Sequence, residues 1–388
     1  MLRAPFASER IERIDPHTGV KVVQITSYPT PSVHLLYDWP SVTPDNERVV
    51  LLTQRWTERT APWDVYRCDT DGLNLFQLTE RGLDRAADRE LRPACVLSLD
   101  GKTVYAVWPD EHILCKVDVE TGETEELMSL DRYARDRSWM ISSLKFGRMG
   151  KRLFVGIRNY EQGNARLVAI DLATGAVNDD YPLNMTLYAF DQENDRVIVV
   201  KNFVKLGTKK RADAVRIFTN ENAEPMTLWS VDEDGSDEQY ISTIDMFGHS
   251  TMLGRVGKIQ GTGQPPHRCI WIAEAGKEPY KLVQGPYFWH SSASFDGEWI
   301  LSDTQWPDVG LQLVHVPTRR FRTVCRARAS QGHVQSSHPH PALSQDGRVG
   351  VFDSDRTGVS QVYLVRITDE FRETVKAGVL DDPEDKWM

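Results

Sequence analysis

Four residues near the C-terminus have the types and spacing of a metal-binding site. Gln335, His338 and His340 lie within QSSHPHP, and His290 lies upstream in YFWHSSASFDG. The prolines beside the two close histidines favour extended backbone and exclude helix, so we predict that both imidazoles project to the same side. Three imidazoles and one amide oxygen suit a borderline divalent ion such as manganese, iron, nickel or zinc. The sequence therefore predicts a divalent cation on these four residues.

A repeated sequence pattern indicates what positions these residues. Each copy has a turn, often Asp-Gly, then a short apolar run, a polar loop, a second apolar run and another turn, most clearly in LSLDGKTVYAVWPDEHILCKVDVETGETEELM. Such turns between alternating runs are typical of antiparallel hairpins. Seven copies of roughly 40 to 60 residues match four-stranded blades around a channel. We therefore predict an all-β fold, a seven-bladed β-propeller; the alternative is a β-sandwich followed by a second all-β domain.

The two ends of the chain are predicted to close the ring together. The last copy stops after its third strand, whereas IERIDPHTGVKVVQIT near the N-terminus has the form of a lone outer strand. Pairing the two removes an exposed sheet edge. We predict a single domain over residues 1–388, with a closing strand in 10–27, seven blades over about 34–368 and a C-terminal tail at 369–388. The pattern leaves almost no place for helix.

Propeller chemistry is expected at one mouth of the channel, where the loops of several blades meet. His249 in MFGHSTMLGRVG, the upstream histidine and the HPH pair occupy equivalent places in the last three copies. We expect them to meet at that mouth. His34 and Tyr37, in SVHLLYDWPS, hold the equivalent place in the first copy and are candidate substrate contacts. An imidazole titrates near neutral pH, which makes His249 a candidate base.

Composition argues against several other functions. The net charge is −10, and no long basic run is present apart from Lys209-Lys210-Arg211, so we expect no nucleic-acid partner. An acidic protein that binds a polyanion has to concentrate positive charge locally. The five scattered cysteines form no C-x-x-C pair, which favours a reducing compartment. The N-terminus lacks the apolar core of a signal peptide, and no stretch reaches the ~18 apolar residues of a membrane span. We predict a cytoplasmic protein without a membrane partner, and leave its oligomeric state open.

Three segments of the chain resemble the oligogalacturonate lyases, cytoplasmic pectin-degrading enzymes with a seven-bladed propeller. These segments are DPHTGVKVVQIT, WHSSASFDG and QSSHPHPALSQDGRVGVFDSDRTGVSQVYLV. The resemblance extends at a low level along the whole chain and is specific in Gln-x-x-His-x-His and in the histidine before the upstream Asp-Gly. It implies a manganese ion on His290, Gln335, His338 and His340, and a catalytic role for His249.

The chain departs from the family's pattern at one catalytic position. The resemblance implies an arginine just before a W-x-V-x-E-D-G-S-like stretch, but here that stretch is LWSVDEDGS and Thr227 holds the arginine's place. Lys210, Arg211 or Arg216 could supply the missing charge. We take Arg216 as a candidate catalytic residue and Arg211 as a candidate substrate contact. The departure leaves open a different uronate substrate, a different base or a loss of activity.

The function that the resemblance implies is a metal-dependent lyase that cleaves short uronic-acid oligosaccharides by β-elimination. Its substrate would be a small anionic oligosaccharide, whose carboxylate a divalent ion neutralises as a Lewis acid while the adjacent proton is removed. Two other functions stay open. One is a non-catalytic binding platform of the TolB or WD-repeat kind. The other is a metal-dependent hydrolase or lactonase, whose sites usually include Asp or Glu ligands that the predicted set lacks.

Overall fold

The strands of the chain form seven antiparallel sheets, six with four strands and one with five. A computed structural model describes residues 5–56, 61–81, 92–108, 111–134, 139–147, 150–159, 164–181, 185–201, 227–243, 249–263, 266–305, 307–332 and 335–378. From the second sheet to the seventh, the first strands of neighbouring sheets contact one another, and the first sheet packs against the second and the seventh, which completes the ring. The prediction of an all-β, seven-bladed propeller is confirmed.

The strands are numbered β1 to β29 in chain order. Two strands precede the first blade, β1 Ile11–Ile14 and β2 Lys21–Gln24. Blade 1 contains β3 Ser32–His34, β4 Arg48–Thr53, β5 Asp64–Asp69 and β6 Phe76–Gln77. Blade 2 contains β7 Ala94–Leu97, β8 Thr103–Val107, β9 Ile113–Asp118 and β10 Thr124–Ser129. Blade 3 contains β11 Trp139–Gly147, β12 Arg152–Asn159, β13 Asn164–Asp171 and β14 Val177–Asn178.

The remaining blades continue around the ring. Blade 4 contains β15 Thr186–Asp191, β16 Arg196–Lys201, β17 Thr227–Val231 and β18 Gln239–Thr243. Blade 5 contains β19 Ser250–Met252, β20 Ile259–Gly263, β21 Cys269–Ala273 and β22 Tyr280–Gln284. Blade 6 contains β23 Phe288–Ala293, β24 Trp299–Thr304, β25 Leu311–His315 and β26 Arg320–Cys325. Blade 7 contains β27 Ala342–Leu343, β28 Val349–Ser354 and β29 Gln361–Arg366, joined by β2 and β1.

The N-terminal segment closes the ring, as predicted. β2 pairs antiparallel with β29, with Val22 opposite Val365, and β1 adds a further strand outside β2. Val22 is 3% exposed and belongs to the core between blades 6 and 7. Because β2 covers the edge of β29, the last blade is completed by residues from the other end of the chain.

The Asp-Gly pattern marks the hairpin between the first and second strands of several blades. In blade 6, Ser294 Oγ donates to Asp296 Oδ1 at 2.5 Å, and Gly297 has a φ of +70°. A left-handed φ favours glycine, which explains why this residue follows the aspartate. Gly101 and Gly347 hold the same position in blades 2 and 7, with φ of +73° and +68°.

A helix not predicted from the strand pattern lies in the C-terminal tail. α1 spans Asp369–Ala377 and packs against β25 and β26. Thr368 Oγ1 accepts a hydrogen bond from the N–H of Phe371, and Gly378 ends the helix in a left-handed conformation. The described part of the chain contains no helix long and apolar enough to cross a membrane.

Candidate functional site

The first strand of every blade begins at the same mouth of the channel, because four antiparallel strands return the chain to the side on which the blade started. His290 is the third residue of β23 in blade 6. His338 and His340 lie just before β27 in blade 7, and His249 just before β19 in blade 5. The propeller therefore brings the predicted histidines to one mouth.

Three of these histidines converge. One ring nitrogen from each of His290, His338 and His340 lies within 4.8 Å of the others, and all three side chains are buried. The His290 and His340 ring centroids are 4.1 Å apart, and the His338 ring lies 5.6 Å from His290. These separations are within side-chain adjustment of a single ion with ligand bonds of about 2.1 Å.

A hydrogen bond decides which ring nitrogen of His338 could bind an ion. His338 Nε2 donates to the carbonyl oxygen of Gly332 at 2.8 Å, which leaves the lone pair on Nδ1. That Nδ1 is buried and has no hydrogen-bond partner among the described residues. A buried nitrogen acceptor without a donor is costly unless it binds something. The three histidines thus fit a divalent cation of the borderline class.

Asp303, at the end of β24, supports two of the three histidines. Its Oδ1 accepts the main-chain N–H of His290 at 2.6 Å, and its Oδ2 lies 2.9 Å from His290 Nδ1. The main-chain N–H of His340 also points to Oδ2, at 3.3 Å. With Nδ1 donating to the carboxylate, His290 would present Nε2 to an ion bound among the three histidines. Burial raises the pKa of Asp303 to about 7, and positive charge at the histidines would favour its ionised form.

The sequence prediction missed this aspartate and described a cluster without acidic residues. Asp303 is a hydrogen-bond partner of the ligands rather than a member of the converging set. A signal for it exists in the repeat, because Asp303 and Asp353 occupy the same place in the second strands of blades 6 and 7. Asp353 Oδ1 accepts the main-chain N–H of His34 at 3.0 Å.

The prediction of extended backbone through both close histidines is wrong at His340, whose φ is +44°. The residue before a proline usually lies in the extended region, and a left-handed conformation costs a non-glycine residue about 1–3 kcal/mol. The hydrogen bond from its N–H to Asp303 offsets part of this cost. The imidazole therefore reaches the cluster through a strained turn.

Gln335 lies directly upstream, in the short 3-10 turn Gln335–Ser337. Its main-chain oxygen accepts the N–H of His338 at 3.1 Å, and its side chain is exposed at the mouth. Its role as a fourth ligand stays a prediction.

His249 and Tyr37 complete the wall beside the cluster. The His249 ring lies 4.5 Å from that of His290, and its Nδ1 lies 3.4 Å from Tyr37 Oη. The Tyr37 ring is nearly parallel to that of His340, at 8° and 5.8 Å. Burial lowers the pKa of His249 to about 4, so its imidazole is neutral at pH 7 but a weaker base than a free imidazole.

His34, the other candidate substrate contact in blade 1, is buried. It is 2% exposed, and its Nδ1 lies 3.2 Å from Ser41 Oγ. Burial lowers its pKa to about 4. A direct contact between His34 and substrate stays a prediction.

Thr227, at the position where the family resemblance implies an arginine, has an uncharged side chain. Thr227 begins β17, and its Oγ1 accepts a hydrogen bond from Trp229 Nε1 at 2.8 Å. The neighbouring Lys201 pairs with Glu238 and lies 4.6 Å from the Trp229 ring. Arg216 and Arg211, proposed as substitutes, lie outside the described residues.

A different arginine lies at the mouth. Arg92 precedes β7, the first strand of blade 2, and its Cζ lies 5.1 Å from the Trp63 ring. Burial raises the pKa of Asp353 well above its usual value, and the positive charge of Arg92 opposes that rise. Burial lowers the pKa of His340, and Arg92 contributes to that lowering. Arg92 therefore places positive charge near the histidines, which the sequence prediction missed.

Comparison with known proteins gives structural relatives only. No protein-family model matches the sequence, and no curated protein matches it either. An oligogalacturonate lyase solved in complex with manganese has a TM-score of 0.73 and 16% identity, over 96% of this chain and 100% of that one. The oligogalacturonate lyase of Vibrio parahaemolyticus has a TM-score of 0.73 and 16% identity, over 94% and 98%.

A third solved structure is less similar. A chain in the crystal structure of the mitotic checkpoint complex has a TM-score of 0.53 and 15% identity, over 95% of this chain and 97% of that one. All these identities are low, so the likeness concerns the fold. This chain shares the seven-bladed propeller fold of the oligogalacturonate lyases, as the sequence resemblance implied.

Proposed function

We propose that this protein is a metal-dependent lyase that cleaves short uronic-acid oligosaccharides, with oligogalacturonates as the first candidates, by β-elimination. The observation that carries the proposal is the convergence of three buried imidazoles at the channel mouth, with one nitrogen unpaired among the described residues. The likeness to two oligogalacturonate lyases, one of them in complex with manganese, supports the same chemistry and manganese as the ion.

His290, His338 and His340 would hold the ion, with Gln335 as the proposed fourth ligand. A divalent cation in this site supplies a Lewis acid that neutralises the uronate carboxylate and so makes the adjacent C5 proton more acidic. The reaction breaks the C5–H and C4–O4 bonds and forms a C4–C5 double bond. The departing O4 takes up a proton.

The chain's own residues bind and orient the sugar and accept its proton. His249 is neutral at pH 7 and half-buried beside the cluster, which suits the proton acceptor. Arg92 lies at the same mouth and offers a guanidinium to a substrate carboxylate. Arg216 and Arg211 stay candidates for the catalytic and binding charge that Thr227 lacks. The five cysteines are all free, which agrees with the proposed cytoplasmic location.

Two measurements on the purified protein test this function. Metal content is determined with and without added manganese, and galacturonate dimers and trimers, followed by other uronate oligomers, are assayed for the absorbance of an unsaturated product. We expect stoichiometric metal and product formation in the wild type, and loss of both in a variant carrying His338→Ala and His340→Ala. His267→Ala, a half-buried histidine outside the cluster, serves as the control.

A protein that binds no metal and converts no uronate oligomer contradicts the proposal and favours the binding platform. Metal binding without elimination, but with hydrolysis of an ester or lactone, favours the hydrolase. These outcomes are separable because the histidine variants report on the metal and the product identifies the bond that breaks.

A further inference from the structure

The first strand of blade 1 carries an insertion that leaves the sheet. His34 pairs with Leu51, and the next pair along the two strands is Val42 with Val49. The N–H of Val50, between those two partners, donates to the oxygen of Ser41 at 2.8 Å. Residues 35–40 therefore have no partners on β4 and form a bulge, which we name the channel bulge.

The channel bulge contacts the neighbouring blade 2 and also blades 3 and 6, which blade 1 does not adjoin. Trp39 Nε1 donates to the oxygen of Leu97 in blade 2 at 2.7 Å. The Trp39 ring lies 5.9 Å from Phe146 in blade 3 and 5.9 Å from Phe295 in blade 6. The bulge thus extends across the channel, and its residues 37–40 line a cavity of about 40 Å³.

An ion pair between a buried lysine and a partly exposed aspartate holds the centre of the channel bulge. Lys145, on the first strand of blade 3, is 5% exposed and pairs with the carboxylate of Asp38, whose side chain is 27% exposed. A buried ammonium group is costly unless a counter-charge lies close to it, so Lys145 favours the position in which the Asp38 carboxylate reaches it. The pair therefore ties the channel bulge of blade 1 to blade 3.

Tyr37 precedes Asp38 and is the residue that this pair would position. Its ring lies 5.2 Å from that of His290 and nearly parallel to that of His340. Within the described part of the chain, residues 36–40 make no main-chain to main-chain hydrogen bonds. The place of the Tyr37 ring therefore depends on side-chain contacts, which are its own with the histidines and those of Asp38 and Trp39 beside it.

We propose that Lys145 is a positioning residue: through its ion pair with Asp38 it fixes the channel bulge and so holds the Tyr37 ring against His340 and His290. The geometry of this inference stands on its own, whereas its kinetic consequence rests on the proposed function. Lys145→Met leaves the Asp38 carboxylate without its cation, so the bulge shifts and the tyrosine moves away from the histidines.

Histidine NMR tests the geometric part without metal or substrate. The protein is labelled at histidine Cε1, and the His340 signal is assigned by its loss in His340→Gln. Tyr37→Ala removes the ring current at His340 and moves that signal. We expect Lys145→Met to move the same signal in the same direction, Lys145→Arg to restore it partly, and Lys145→Met to have no further effect in the Tyr37→Ala background.

Lys116→Met, at an exposed lysine of blade 2, is the matched control and should leave the signal unchanged. Asp38→Asn provides a second variant of nearly the same shape should Lys145→Met not fold. An unmoved His340 signal in folded Lys145→Met or Asp38→Asn overturns the inference. So does an equal displacement with and without Tyr37, because Lys145 would then act by another route.

Kinetics test the consequence for the proposed reaction. These measurements require a wild type that forms unsaturated product. The ratio of the change in kcat to the change in KM should then be the same for Lys145→Met as for Tyr37→Ala. The double variant should have the kcat and KM of Tyr37→Ala. A wild type without lyase activity refutes the proposed function and leaves the NMR comparison decisive for the position of Tyr37.

Discussion

Asp303 contacts His290 twice, through one carboxylate oxygen on the main-chain N–H and the other on ring Nδ1, at 2.6 Å and 2.9 Å. The two contacts fix the imidazole both in position and in rotation. Carboxylates that accept from a ligand imidazole in this way also set which nitrogen faces the metal. For the proposed metal site, this relationship would make the strength of metal binding depend on a residue outside the three converging histidines.

Asp303→Asn should weaken manganese binding about 10- to 100-fold, the usual effect of losing such a partner. An amide has only one acceptor oxygen, so its NH₂ group would face one of the N–H donors of His290. Titration calorimetry of the metal-free protein measures the change. Asp353→Asn, at the equivalent position of blade 7, is the control and should retain wild-type affinity. Equal affinities of wild type and Asp303→Asn would contradict the prediction.

Arg92→Gln should raise KM for a uronate oligomer about tenfold or more, because a charge-assisted hydrogen bond to a carboxylate contributes about 1.5–3 kcal/mol. Steady-state kinetics on a uronate trimer provide the measurement. Arg81→Gln is the control, since that guanidinium also lies over a tryptophan ring and its ion pair is with Glu111. An unchanged KM in Arg92→Gln would show that another group binds the carboxylate.

His34 should make the metal-free protein lose stability as the pH falls from 6.5 toward 4. Its pKa is lowered to about 4 in the folded protein, so the unfolded chain binds a proton in this window and the native state does not. Stability therefore rises with pH by about 1.4 kcal/mol per unit for this one proton, and levels off above 6.5. Urea unfolding at several pH values should give a shallower slope for His34→Gln; parallel curves would refute the assignment.

Ring closure should depend on the core contacts of β2. Val22→Ala should lower the free energy of unfolding by about 2 kcal/mol, because it removes buried methyl groups between blades 6 and 7. Ile14→Ala in the adjacent β1 should change it by less than about 0.5 kcal/mol, since that side chain is 61% exposed. Denaturant titration distinguishes the two. A similar effect of both substitutions would mean that the outer strand contributes as much as the closing strand.

Much of the architecture was predictable because its signals are local. Hairpin turns and alternating apolar runs repeat along the chain, and the unpaired outer strand at the N-terminus matches the missing strand of the last blade. Helix α1 was missed even though its capping residues Thr368 and Gly378 are visible in the sequence. A strand repeat predicts nothing about the residues after its last copy. Capping residues indicate a helix there by a separate signal, which does not depend on the repeat.

The candidate site was predicted in part. The convergence of His290, His338 and His340 followed from their equivalent places in adjacent copies. The support of the histidines by Asp303 was not predicted, because an aspartate near the end of one apolar strand looks like any solvent-facing strand end unless it is compared with Asp353 in the next copy. The Lys145–Asp38 pair joins blades that are far apart in sequence, and no local pattern links them.

The amino-acid sequence by itself determined the blades, the closure of the ring and the mouth at which the histidines meet, since these depend on periodicity and turn chemistry. Only the tertiary structure decided the left-handed turn at His340, the partner of His290 and the course of residues 35–40 across the channel. Those features arise from contacts between strands of different blades, where burial and hydrogen bonding outweigh local backbone preference.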